Sequence, residues 1–257
     1  MTDIATTKPG ARSISWQVAK AVLLLVVLAI LLSLGTWQVK RLQWKEGLLA
    51  DIAERQKAAP VPLAEIEAMA ATGGDIEYRR VTASGHYLND RERHFFATYD
   101  GTSGFYVYTP LQLEDGRALL VNRGFVPYDQ KEPKTRPQGE LEGAQTVTGL
   151  ARSRLAGKPS SLLPDNDVAK NIFYWKDLDV MAKSGGLDIA KVVPFFVDAD
   201  TTPNPGGLPV GGVTIIDLPN DHLQYAVTWY GLAAALVGIV AVAWFRGRRG
   251  DISPTGR

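Results

Sequence analysis

Two long uncharged apolar runs, far apart in the chain, limit its possible folds more than any other feature. The first, Ala21 to Val39, contains Leu23 to Leu32 without one polar side chain, and the second extends from Leu223 to Phe245. At roughly 1.5 Å of rise per residue, the second run makes about 35 Å of helix, enough to cross a hydrocarbon layer about 30 Å thick with some tilt. The first is shorter and just sufficient. A cleaved signal peptide competes for the first run, with Lys8, Arg12 and Lys20 as its basic region and Ser33-Leu34-Gly35 as a small-x-small cleavage site. Against that reading, Trp37, Arg41, Trp44 and Leu48 carry one helical face past Gly35 at spacings of four, three and four. Trp37, Lys40, Arg41 and Trp44 also have the aromatic and basic character of a helix leaving a bilayer.

Charge sets the expected orientation. The tails carry Lys8, Arg12, Lys20, Arg246, Arg248, Arg249 and Arg257 against only Asp3 and Asp251, while the middle is mildly acidic. Short basic tails stay in the cytoplasm, so the expected order is tail 1–20, span 21–39, an extracytoplasmic domain over 40–221, span 222–245 and tail 246–257. Lys40, Arg41 and Lys45 argue the other way, but long loops translocate largely regardless of charge. The N-terminal tail lacks an Arg-rich transit pattern, and the expected location is a bacterial inner membrane with the main domain periplasmic.

With no cysteine in the chain, disulfide exchange, thiolate metal sites and covalent c-type haem attachment are excluded. The near-neutral middle has no basic stripe, so nucleic acid is not an expected partner. The residues of this domain predict helices over Gly47–Lys57, Leu63–Ala71 and Tyr174–Lys183. They predict strands over Tyr78–Tyr87, Arg93–Tyr99, Gly104–Leu113, Ala118–Val126, Thr146–Arg152 and Val192–Asp198. Gly101 to Gly104 reads as a turn, and Pro127 to Gln138 as an exposed loop. The fold class is therefore a membrane protein, with a hairpin of two transmembrane helices flanking a β-rich α+β domain. The strand pattern leaves a small barrel and an open sheet both open.

Only three histidines are present. His86 and His94 fall in neighbouring predicted strands and read as ordinary surface or half-buried side chains. His222 stands at the threshold of the second span. A helix N-terminus is a poor place for a cation, which suits a neutral ring nitrogen able to take a metal. From His222 a helical face continues through Tyr225 or Ala226 to Trp229 and Ala233. The competing reading of Tyr225, Trp229 and Tyr230 is an interfacial aromatic belt. Gly231, Ala234, Ala235 and Gly238 are small residues expected to pack against the first span. Nucleophile elbow, P-loop, dinucleotide and HExxH signatures are all missing, and the chain is not expected to be an enzyme.

Three stretches carry a resemblance: Gly35-Thr36-Trp37-Gln38-Val39-Lys40-Arg41-Leu42-Gln43-Trp44-Lys45, Val121-Asn122-Arg123-Gly124-Phe125-Val126-Pro127, and Asn220 to Gly231 (NDHLQYAVTWYG). In this order and on a two-span plan, they resemble the surfeit-locus family of cytochrome c oxidase assembly factors. The resemblance implies a membrane chaperone that helps mature the haem-bearing large subunit of a haem-copper oxidase, with haem a bound transiently and the histidine corresponding to His222 as iron ligand. It implies importance, without assigned tasks, for Trp37, Arg41, Asn122, Arg123, Gly124, Tyr225 and Trp229. Arg41 or Arg123 is expected to pair with haem propionates, since a guanidinium matches a carboxylate. The large subunit, haem a synthase and the bilayer are the expected partners. A cofactor-free scaffold that stabilises an assembly intermediate is the alternative, because the sequence offers no evident second ligand.

Overall fold

The computed structural model describes residues 11–214 and 219–250. Much of the two expected tails, and residues 215–218, lie outside the described residues. The chain divides into two compact units, Met1–Ala50 with Asp217–Arg257, and Asp51–Ile216.

The first unit is built on two helices, α1 (Ala11–Lys57) and α4 (His222–Gly250). Both are long and apolar enough to cross a membrane, and only 6% and 11% of their most apolar stretches are buried within the protein. So little burial distinguishes them from the core helices of a globular domain. α1 runs unbroken from the apolar run through Gly47–Lys57, the stretch expected to continue it as a helix. Along α1 the less exposed positions include Leu24, Leu28, Leu31, Gly35, Gln38, Leu42 and Lys45, spaced alternately by four and three, with Leu34, Val39 and Leu49 beside them. On α4 they are His222, Ala226, Trp229, Ala233 and Leu236, with the same alternation. This is the spacing by which two helices lay side chains along one shared seam. Gly35 lies directly against the Tyr230 ring: a Cβ there would come within 3.0 Å of it. The residues expected to make the close approach do not make it. Gly231 and Gly238 face open space, whereas Ala226 and Ala233 are each only 3% exposed. Small residues cover several faces of α4, and composition alone does not select the face that packs.

The second unit is a barrel. Its elements are β1 (Val61–Pro62), α2 (Leu63–Ala71), β2 (Arg80–Tyr87), β3 (Arg93–Tyr99), β4 (Thr102–Leu113), β5 (Ala118–Pro127), β6 (Ala144–Ser153), α3 (Leu178–Ser184) and β7 (Val192–Ala199). The sheet order is β1-β2-β6-β7-β5-β4-β3, and an added pairing of β2 with β4 joins its two sides. Five strands, β2, β6, β7, β5 and β4, thus close on themselves, with β1 and β3 as outer additions. All pairs in this ring are antiparallel except β5–β7. Such a five-stranded Greek-key barrel has the wiring of OB-type barrels, a likeness that assigns no ligand by itself.

β4 closes the ring because it is long enough to serve two neighbours. Its first part pairs with β3 over Thr102–Tyr108, and its last residues, Leu111–Leu113, pair with β2. The β3–β4 turn sits at Asp100 and Gly101, both with positive φ, so Thr102 and Ser103 belong to the strand and not to the expected turn. Alternation then sorts the faces. Val81, Leu111, Leu119, Val121, Val147, Ala151, Val193, Phe195 and Val197 fill the interior, with Leu63 and Ile66 of α2 in the same cluster. On the outer face Tyr108, Leu120 and Phe196 pack with Phe173 and with Leu178, Met181 and Ala182 of α3. Asp177 caps α3, its side chain accepting from the Val180 N–H.

Candidate functional site

His222 opens α4, where the last turns of polar sequence give way to the apolar run. Its ring is half-buried, and Nδ1 lies 2.8 Å from Oε1 of Gln38 on α1. An amide oxygen can only accept, so this contact is a hydrogen bond in the form of the ring that carries its proton on Nδ1. Nε2 makes no hydrogen bond to a described residue. Gln38 is 8% exposed, a buried polar side chain whose oxygen is satisfied by this ring. Lower on the same seam, Thr36 Oγ1 and the Tyr230 hydroxyl are 3.0 Å apart. Above it, Lys45 Nζ donates to the carbonyl of Pro219. These contacts tie the head of α4 to α1 through side chains.

The other residues singled out lie on the same two helices. Arg41 is exposed, and its guanidinium stacks over the Trp44 ring with 3.9 Å from Cζ to the centroid. Trp37 and Trp44 are more than half exposed, as is Tyr225, while Trp229 is half-buried. Arg41 follows Gln38 by three residues, about one turn nearer the C-terminal end of α1. These two helices thus carry a half-buried histidine, an exposed guanidinium and exposed aromatic rings.

Arg123 belongs to the other unit. It sits where the β4–β5 register shifts, and its side chain is 1% exposed. Nη2 donates to the Gly139 carbonyl and to Asn204 Oδ1 at 3.1 Å, and the guanidinium lies 4.5 Å over the Tyr87 ring. Burial lowers its pKa from the ordinary guanidinium range. Nε and Nη1 find no acceptor, although Nη1 is 4.0 Å from Glu92 Oε1. A cleft of about 290 Å³, lined by Tyr87, Arg123, Thr148 and Asn204 among others, opens beside it. Its neighbours in the motif are structural. Asn122 donates to Asp198 Oδ1 at 3.0 Å and accepts from the Gly124 N–H at 3.1 Å. Gly124 has φ +128°, and a Cβ there would stand 2.0 Å from the Val210 carbonyl oxygen.

Next to Arg123 lies a cluster that the sequence reading missed. Glu92, 3% exposed, accepts from both terminal nitrogens of Arg136, and from Thr109 Oγ1 at 3.3 Å. Arg136 also donates to Glu140 at 2.8 Å. His94 is buried, with Nε2 3.6 Å from Glu92 Oε2 and Nδ1 accepting from Asn171 Nδ2 at 2.9 Å. Burial works to raise the Glu92 pKa, but His94 and Arg136 overcome it and hold the carboxyl below its usual value. Glu140 moves the opposite way, raised by burial and by Glu92. His94 is thus no surface histidine, and the loop expected to be exposed places Arg136 at 5% exposure. A short Pro-rich, charged stretch reads as loop correctly. What it cannot reveal is that its arginine has a buried carboxylate waiting 44 residues away. For Gln38 a signal did exist: it is the polar residue just inside an apolar run.

A closed β-barrel carried in one chain with two helices able to cross a bilayer, one headed by a histidine, defines a membrane-associated barrel protein. The chain belongs to the SURF1 family, which matches it over residues 25–234. It is 37% identical to the rat Surfeit locus protein 1 (Rattus norvegicus), across 87% of this chain and 74% of that protein. The Takifugu rubripes protein of the same name is also 37% identical, across 86% and 94%. The SURF1-like protein of Drosophila melanogaster is 34% identical, across 87% and 75%.

Proposed function

We propose that this protein is a non-catalytic assembly factor for a haem-copper oxidase, which holds haem a at the bilayer surface and hands it to the large oxidase subunit. One observation carries the reading: a half-buried imidazole at the mouth of an apolar helix has one nitrogen bound to Gln38 and the other without a hydrogen bond to any described residue. The residues fit the cofactor. His222 would hold the haem through its imidazole, a side chain that serves as a haem ligand when neutral. Trp37, Tyr225 and Trp229 offer apolar ring surface at the depth where an amphipathic macrocycle settles. Arg41, exposed and held flat on Trp44, offers paired N–H donors to a propionate. Arg123 is buried with one terminal nitrogen bound to Gly139 and Asn204, so the exposed Arg41 is the more accessible of the two arginines for this role. A single non-covalent ligand suits a carrier, because transfer requires release. In this reading the barrel faces the periplasm of a bacterial inner membrane and both termini face the cytoplasm, with haem a synthase as the donor of the cofactor.

The test is to co-express the protein with haem a synthesis, purify it and record its absorbance spectrum beside that of His222→Ala. A haem a spectrum in the wild type, lost or strongly reduced in the variant, is the expected result. Wild-type protein that purifies without haem while still co-purifying with the oxidase subunit would favour the cofactor-free scaffold.

A further inference from the structure

We infer that Gln38 is a positioning residue: through its side-chain oxygen it fixes the tautomer and rotation of His222 before any ligand arrives. The inference rests on the reading of His222 as a haem ligand for its consequence, but not for its geometry. Imidazole has two nitrogens, and a metal can take either one. Which is offered depends on the hydrogen bond made by the other. Here the 2.8 Å contact from Gln38 Oε1 to Nδ1 puts the proton on Nδ1 and leaves the Nε2 lone pair free. The ring is also held in rotation, because Gln38 is buried on a seam position of α1 with His222 across from it on α4.

Three further features confine the pair to this arrangement. Gln38 lies one turn beyond Gly35, where the Tyr230 ring presses on α1, and seven residues before Lys45, which is bound to the Pro219 carbonyl. The two helices are thus fixed relative to each other on both sides of the pair. Within this unit no other described side chain competes for the ring. A ligand histidine whose second nitrogen donates to an oxygen is more basic and better oriented, and loss of such an outer partner costs about 10- to 100-fold in metal affinity. Gln38 therefore sets how tightly His222 holds a metal, and does so without touching it.

The full-length protein in detergent or nanodiscs, free of haem and ¹⁵N-labelled at histidine, gives the direct test. Long-range ¹H–¹⁵N spectra are expected to show His222 protonated at Nδ1 in the wild type and redistributed towards Nε2–H in Gln38→Leu. Gln38→Glu keeps an acceptor and should keep the Nδ1–H form. Titration with haem is then expected to show affinity about 10- to 100-fold weaker in Gln38→Leu and near wild type in Gln38→Glu. A wild-type His222 protonated at Nε2, or a tautomer unchanged in Gln38→Leu, overturns the inference. So does unchanged haem affinity in Gln38→Leu when His222→Ala abolishes binding. If instead the tautomer responds as expected while His222→Ala binds haem normally, the positioning stands and the haem-ligand reading falls.

Discussion

Glu92 shows how one buried side chain can order a region that looks irregular in sequence. It faces Arg136, Thr109, His94 and, at 4.0 Å, Arg123, so removing its charge leaves the buried Arg123 without its nearest carboxylate and Arg136 with Glu140 alone. Breaking a buried pair from one side costs about 3–5 kcal/mol. Glu92→Gln is accordingly expected to lower the stability of the barrel by about that amount in thermal or denaturant unfolding. The pH dependence has a definite sign. The folded pKa of Glu92 lies below its unfolded value, so its contribution is complete above the unfolded pKa and is lost as pH falls through the folded one. Glu140, raised in the folded state, works in the opposite sense at higher pH. Wild-type protein should therefore lose stability on acidification below the ordinary carboxyl range, and Glu92→Gln should show a visibly flatter acid limb. Of this cluster only Arg123 was marked in the sequence, and only by resemblance. Glu92, His94 and Arg136 carry no periodic or motif signal, because their meaning lies in partners distant along the chain.

At the scale of elements, local pattern was a better guide. β3 and α2 occupy the ranges that alternation and breakers indicate, and the remaining strands differ by a few residues at their ends. α3 begins later than the residues suggest, at Leu178, because the Asp177 side chain caps it there. The pairing of α1 with α4 was less legible. Its decisive contact is Gly35 against Tyr230, and a Cβ at 3.0 Å from an aromatic ring forces a shift of the ring or of the helix. Gly35→Val is expected to weaken the helix pair by about 1–3 kcal/mol, the usual cost of overpacking. Thermal unfolding in detergent reads the loss, and adding Tyr230→Ala should recover part of it by making room. Equal losses in the single and double variants would show that Gly35 and Tyr230 are not coupled.

The whole molecule joins two chemically different bodies, and the basic tails predict an orientation in a bilayer that labelling can test. Because the chain has no cysteine, a single introduced thiol reports its own side of the membrane without background. Ser160→Cys, in an exposed loop of the barrel unit, is expected to react with an impermeant maleimide in intact spheroplasts. Ser253→Cys is expected to react only after permeabilisation. The reverse pattern would place the barrel in the cytoplasm and remove the proposed setting for haem transfer. By itself the sequence determined the two apolar helices, the β-rich middle between them and most strand ranges, because these depend on hydrophobicity and period among residues close in the chain. Tertiary structure alone decided that the sheet closes, since that rests on Leu111–Leu113 of β4 meeting Gly85–Tyr87 of β2. It alone decided that Arg123 points into a buried carboxylate cluster, and that Gln38 meets His222 across 184 residues of chain. Such contacts are set by which face of each element turns inward, and that choice is settled only when all the elements pack together.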